Sequence, residues 1–135
     1  LYGMEFQPLL DAAHTAPVNL PAEAEAVANW PPVGPAVPLA ELDLTTFEEA
    51  SVQVSADLVV DAPGLVNTVA VTFRAGLYGG IEHTLAPWTW PTSSWATSVW
   101  VLPDPVDVGP GAALRVNYSR RTDGAPDALT CELVG

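Results

Sequence analysis

Tryptophans crowd one short stretch of this sequence, and they are the residues best able to form a binding surface. The stretch 88–100 holds Trp88, Trp90, Trp95 and Trp100. Trp100 falls in an apolar run that predicts a strand, so we expect it in the core. Trp88 and Trp90 lie in a loop interrupted by prolines, where an indole either packs into the core or stacks on a planar or cationic ligand. Both interpretations stay open for these two residues.

The sequence offers no convergent set of metal ligands or acid–base groups. Its two histidines, His14 and His83, are far apart and lie in dissimilar contexts, and neither belongs to a motif with metal-ligand spacing. His83 stands between Glu82 and Thr84 in a predicted strand, which favours an ordinary polar residue over a base or a ligand.

Motifs for nucleophilic catalysis and phosphate binding are missing as well. Glu48 and Glu49 are adjacent, so their side chains point in different directions on a strand or a helix, and we interpret them as part of a solvated turn. No Gly-x-Ser-x-Gly elbow is present. The segment 109–111 predicts a turn, because Pro110 removes an amide that a phosphate cradle needs. We expect no catalytic residue and no metal site, and we expect this chain alone to be inactive.

Composition indicates one folded domain with an acidic surface. The chain has 135 residues, of which 49% are hydrophobic and 15% charged, so residues 1–135 are expected to form a single domain around one core. The chain contains sixteen acidic residues, four arginines and no lysine, which gives a net charge of −12. Such a chain repels nucleic acid and anionic membranes and attracts cationic ligands, although genome-wide bias against lysine would produce the same composition.

Location is inferred from the cysteine content and from the opening residues. Cys131 is the only cysteine, so no internal disulfide calls for an oxidising compartment. Residues 1–6 lack the basic and apolar regions of a secretory signal, and the uncharged residues of 84–103 are interrupted by three prolines. We expect a cytoplasmic protein, and we expect this chain to be a piece of a longer one.

Short alternating segments predict an all-β fold. Val52, Val54, Ala56 and Leu58 alternate with polar residues, and a turn at 61–64 then predicts a hairpin with the next strand, whose Val69, Val71 and Phe73 share one face. Further strands are expected at 81–85, 97–102, 106–108, 114–118 and 128–134. The one helical window, 22–29, is short and ends before Pro31-Pro32. The pattern predicts an antiparallel barrel or sandwich of about eight short strands.

The same segments, in the same order, resemble the barrel domain of protein arginine methyltransferases, which follows the S-adenosylmethionine-binding domain in that family. The opening Tyr2-Gly3-Met4-Glu5-Phe6 and Pro8-Leu9-Leu10 are similar to the start of that barrel, and residues 39–45 to its acid-containing strand. Residues 69–73 match its central strand. Its later strands are matched by residues 100–102, 105–108 and 109–114. Pro91 and Ser93-Ser94-Trp95 fall where the family carries a Thr-His-Trp loop, with Ser94 at the histidine position.

This resemblance implies that the chain forms one wall of an acceptor-substrate groove. Methyl transfer would belong to an upstream S-adenosylmethionine-binding domain, and this chain itself would bind no cofactor. Ser93, Ser94 and Trp95 would lie at the groove, with Trp88 and Trp90 beside them. The implied partners are that upstream domain, a cationic protein or peptide as methyl acceptor, and a second copy of the full-length protein in a homodimer. Ser94 can form a hydrogen bond but, unlike histidine, cannot carry a proton at neutral pH.

Two other interpretations remain open. An independent β-sandwich that binds carbohydrate would use Trp88 and Trp90 as its stacking platform. A barrel that serves only oligomerisation would need no ligand.

Overall fold

The computed structural model describes residues 15–46 and 51–135. It confirms the predicted all-β class: the described residues form eight strands in antiparallel sheets and one short α-helix. The elements in chain order are β1 (Val18–Ala22), α1 (Ala24–Ala28), β2 (Val52–Val59), β3 (Gly64–Val71), β4 (Arg74–Gly76), a 3₁₀ turn (Tyr78–Gly80), β5 (Glu82–Thr84), β6 (Thr97–Val108), β7 (Ala113–Arg120) and β8 (Ala128–Val134). The helix falls inside the predicted window.

The strands form three sheets, with the orders β1-β6-β3, β2-β7-β8 and β4-β5. By its internal contacts the chain divides into two compact units. The described residues of the first unit are 15–31 and 68–103, and those of the second are 32–46, 51–67 and 104–135.

The core of the first unit forms where α1 and β6 turn their apolar side chains inward. Ala24 and Val27 of α1 are buried, as are Val99, Trp100 and Leu102 of β6. Trp100 is only 4% exposed, which confirms its expected place in the core. An indole buries more apolar surface than any other side chain here, so Trp100 contributes strongly to this unit.

An edge strand and a hairpin complete the first unit. β1 pairs only with β6 in its sheet, and Pro21 is compatible with this edge position because its missing N–H can face the side without a partner. β4 and β5 form a hairpin whose turn contains Gly79 at φ 80° and Gly80 at φ 78°. Those backbone angles favour glycine over any other residue. His83 is exposed on β5, as expected of an ordinary polar residue.

The second unit is organised around β7, which pairs with β2 on one side and β8 on the other. Apolar and polar residues alternate along these strands, so the apolar side chains share one face of the sheet. On that face Leu114, Val116 and Leu129 are buried. The opposite face is polar. There Arg115 donates two hydrogen bonds to Asp57, at 2.7 and 2.8 Å, and this contact lowers the pKa of the Asp57 carboxyl.

The predicted hairpin between the strands 52–58 and 65–73 is wrong. β2 pairs with β7, whereas β3 belongs to the sheet of β6. The backbone between β2 and β3 forms its hydrogen bonds with other parts of the chain. Val60 N–H donates to Ala112 O, and Asp61 and Ala62 N–H both donate to Val33 O. Pro63 adds no donor. The segment therefore passes from one sheet to another instead of closing a tight turn.

Three other strand predictions also need correction. The prolines at 103 and 105 do not end a strand, because β6 continues from Thr97 to Val108. They are two residues apart, so both lack an N–H on the same side of the strand. Residues 39–44 form no strand, and Leu44 is 82% exposed. Phe73 does not pack with Val69 and Val71 on a buried face; it lies beyond the end of β3 and is 51% exposed.

Some predictions fall outside the described residues. The resemblance at residues 2–10, His14, and the turn at Glu48-Glu49 belong to this group. The expectation of a single domain stays a prediction.

Replacement of a core leucine of β7 tests the inward face of the second unit. Leu114 is 1% exposed, so Leu114→Ala removes buried methyl groups and leaves a cavity; we expect a loss of about 2–5 kcal/mol in the free energy of unfolding. Leu65→Ala, at a residue 61% exposed, is the matched control and should cost less than about 1 kcal/mol. Urea unfolding followed by circular dichroism measures both. Equal losses would contradict this assignment of the core.

Titration of Tyr118 tests the contact between β7 and the chain before β8. Its hydroxyl donates to Asp127 Oδ2 at 2.8 Å, and burial, then this bond and the Asp127 charge, raise the pKa of Tyr118. A raised pKa means that the stabilisation is complete below the ordinary tyrosine pKa of about 10 and is lost as pH rises through the pKa in the folded protein. In Asp127→Asn the ionisation of Tyr118 should move to lower pH. Tyrosinate absorbance, with Tyr118→Phe subtracted, measures the midpoint, and an unchanged midpoint would refute the assignment.

Candidate functional site

The loop of residues 87–95 is held by local backbone hydrogen bonds. Pro87 is fully buried and anchors the start of the loop. Ala86 O accepts from Thr89 N–H at 3.0 Å and from Trp90 N–H at 3.1 Å, and Trp90 O accepts from Ser93 N–H at 3.2 Å. The loop thus forms two successive tight turns, in agreement with the loop predicted here.

Two contacts position Trp95 at the end of this loop. Its backbone N–H donates to Ser93 Oγ at 3.2 Å, and its ring packs edge-on against Phe73, with centroids 5.8 Å apart and planes inclined by 73°. Such a perpendicular arrangement is favourable for aromatic rings. Trp95 remains 59% exposed, so much of its indole surface is available to a ligand.

Strand pairing brings an acidic segment next to Trp95. In the register of β1 with β6, Ala22 lies opposite Thr97. Glu23 follows Ala22, and Ala96 precedes Thr97, so the two segments meet at the end of the paired strands. Between them is an open depression of about 250 Å³. Its walls are the residues 23–25 and 91–96.

The start of α1 directs its acidic side chains away from the core. Ala24 and Val27 are buried, whereas Glu23 and Glu25 are exposed. Neither carboxylate has an ion pair with a described residue. The described part of the first unit contains one arginine, Arg74, which lies 4.0 Å from Glu82. The depression is therefore negatively charged, with little local positive charge to offset it.

This combination of groups suits a cation. Two carboxylates can accept hydrogen bonds from a guanidinium or ammonium group, the hydroxyls of Ser93 and Ser94 can add further bonds, and the face of Trp95 can attract the positive charge. A planar guanidinium matches both the ring and the carboxylates better than an ammonium does. Within residues 15–46 and 51–135, no three His, Cys, Asp or Glu side chains are grouped as metal ligands.

The substrate-binding residues predicted from the sequence lie in two separate places in the structure. Ser93, Ser94 and Trp95 line the depression. Trp90 does not line it but contacts its wall through the bond from Ser93 N–H. Trp88 lies beside Trp30, to whose carbonyl its Nε1–H donates at 3.3 Å. Trp88 and Trp90 are 42% and 41% exposed, so neither is a core residue.

Sequence inspection missed the acidic half of the site and one of the exposed tryptophans. Glu23 and Glu25 fall within the predicted helical window 22–29 with no role assigned to them, and Trp30 lies outside every predicted element. A signal was present: with Ala24 and Val27 as the apolar positions of a two-turn helix, the intervening acids must face solvent. The link between this helix and the tryptophan loop depends on the β1–β6 register, which no local pattern reveals.

Comparison with known proteins finds neither a matching family model nor a matching curated protein. Among the described residues, no helix combines the length and the apolar character needed to cross a membrane.

Proposed function

We propose that this chain is the acceptor-binding barrel domain of a methyltransferase resembling the protein arginine methyltransferases. An upstream domain binds S-adenosylmethionine and transfers the methyl group, whereas this chain holds the cationic acceptor. The observation that carries the proposal is the depression in which Glu23 and Glu25 face Ser93, Ser94 and Trp95. Ser93, Ser94 and Trp95 are the residues that the resemblance to the methyltransferase barrel places at the acceptor groove. We further propose a cytoplasmic location.

The acidic depression is consistent with this division of labour. Methyl transfer from a sulfonium requires alignment of the acceptor nitrogen with the methyl group, so a surface that orients the acceptor contributes to the rate without supplying a base. Carboxylates and an aromatic face provide such orientation for an arginine side chain.

A peptide-binding measurement tests the proposal directly. A short glycine-rich peptide with one arginine should bind the chain, with an affinity that falls at higher salt because the contact is electrostatic. We expect Glu23→Gln combined with Glu25→Gln, and separately Trp95→Ala, each to weaken binding by about 2- to 10-fold, since exposed charge pairs and cation–π contacts contribute about 0.2–1 kcal/mol each. Calorimetry or chemical-shift titration gives the affinities.

Matched controls separate this site from general charge effects. Glu82→Gln removes an acid from the same unit outside the depression, and Trp88→Ala removes an exposed indole outside it; both should bind the peptide as the unaltered chain does. A peptide with citrulline, which is neutral, in place of arginine should not bind. Equal weakening by the control variants, or binding of S-adenosylmethionine to this chain, would contradict the proposal.

A second candidate function, carbohydrate binding, is favoured by the exposed tryptophans outside the depression. Trp30, Trp88 and Trp90 are each 41–42% exposed, and the Trp88 indole donates a hydrogen bond to the backbone carbonyl of Trp30. Sugars stack on exposed indoles of this kind.

A glycan array examines this second function independently. If carbohydrate is the ligand, a signal should appear with the unaltered chain and fall at least about 5-fold in Trp88→Ala, the loss expected from one stacking contact of about 1 kcal/mol. Trp95→Ala should retain the signal. Absence of any glycan signal, together with binding of the arginine peptide, would exclude this candidate in favour of the acceptor surface.

A further inference from the structure

The side chain of Phe73 is half exposed, although burial of a phenylalanine normally stabilises a fold. Phe73 follows the end of β3 and is 51% exposed. Its ring contacts the ring of Trp95, with centroids 5.8 Å apart and planes inclined by 73°. This contact connects Phe73 to the candidate site, because Trp95 is one of the residues that line the depression.

The backbone of Phe73 is fixed by the hairpin that follows it. In the pairing of β4 with β5, Arg74 lies opposite Thr84. One further hydrogen bond continues this pairing, since Phe73 O accepts from Leu85 N–H at 3.0 Å. Leu85 comes two residues before Pro87, where the loop 87–95 begins. Phe73 is therefore attached to the chain at the point where it enters that loop.

Phe73 thus contacts both ends of the loop 87–95. Its backbone carbonyl holds the entry to the loop through Leu85, and its ring packs against Trp95 at the exit. Holding the two ends of a loop together reduces the number of conformations that the loop can adopt. The part of the loop that lines the depression, residues 91–95, is restricted in the same way.

We propose that Phe73 is a positioning residue, which closes the loop 87–95 and holds the indole of Trp95 at the depression. The attraction between a cation and an aromatic ring requires the cation to lie over the face of the ring, so the orientation of the indole determines its strength. Phe73 is not among the residues that line the depression, and it acts through Trp95. Its effect on affinity for a cationic acceptor rests on the proposed function.

A double-mutant cycle tests whether Phe73 acts through Trp95. Phe73→Leu keeps an apolar side chain and removes the ring, so we expect binding of the glycine-rich arginine peptide to weaken about 2- to 10-fold. In a chain that already carries Trp95→Ala, Phe73→Leu should weaken binding by less than about 2-fold further, because the effects of residues in contact are not additive. Calorimetry gives the four affinities.

Phe73→Tyr and Leu77→Ala are the matched controls. Phe73→Tyr keeps the ring and should bind the peptide within about 2-fold of the unaltered chain. Leu77 is an apolar residue of the same unit that is 53% exposed, and Leu77→Ala should leave binding unchanged. Urea unfolding followed by circular dichroism shows that each variant folds. Because Phe73 is half exposed, its replacement should leave the unfolding midpoint close to that of the unaltered chain.

The nuclear magnetic resonance signals of the Trp95 ring provide a readout that needs no ligand. They are assigned by their absence from the spectrum of Trp95→Ala. An aromatic ring shifts the signals of protons close to it, so Phe73→Leu should move the signals of Trp95. Phe73→Tyr should leave them nearly in place.

The outcomes separate this proposal from the proposed function. If Trp95→Ala weakens binding and Phe73→Leu does not, or if Phe73→Leu weakens binding equally with and without Trp95→Ala, the positioning role is wrong and the acceptor site stands. If the peptide does not bind the unaltered chain, the acceptor function is wrong. The Trp95 signals then decide the positioning role by themselves: unmoved signals in Phe73→Leu overturn it, and moved signals support it.

Discussion

Burial of the first half of β6 is the interaction on which the candidate site depends. Val99 and Trp100 are buried, as are Ala24 and Val27 of α1 in the same unit, and β6 pairs with β1 through this buried half. Because Ala22 is paired with Thr97, the residues just beyond the paired segment, Glu23 on one strand and Ala96 on the other, must be neighbours. The depression between them is thus a direct result of strand pairing, although both of its walls are made of residues outside the sheet.

Charge distribution gives this geometry its chemical character. The first unit has a single arginine among its described residues, and Arg74 lies beside Glu82 on the hairpin. The second unit contains the other three arginines, of which Arg115 and Arg121 are bonded to Asp57 and Asp123. Within the described part of the first unit, no arginine is paired with Glu23 or Glu25, so these acids can attract a cationic ligand.

The sequence was most informative where one rule of local chemistry was sufficient. Alternation predicted β7 and β8, the flanking prolines limited α1 to two turns, and the crowded prolines predicted the loop before Trp95. The predictions failed where long-range pairing decides. A turn at 61–64 suggested that β2 and β3 were neighbours, yet their hydrogen-bond partners are far away along the chain. The acidic wall of the site was missed for the same reason, since Glu23 and Trp95 are brought together only by the β1–β6 register.

Pro21 has a consequence for how a peptide could bind beside the depression. It removes one backbone donor from β1, because the nitrogen of proline carries no hydrogen. An extended peptide added alongside β1 would therefore lack part of its hydrogen-bond ladder. Selection by backbone pairing, which accepts many sequences, is thereby disfavoured at this edge. Under the proposed function, discrimination among acceptor peptides would then come from side-chain chemistry, with individual residues of a flexible segment recognised instead of the general shape of a strand.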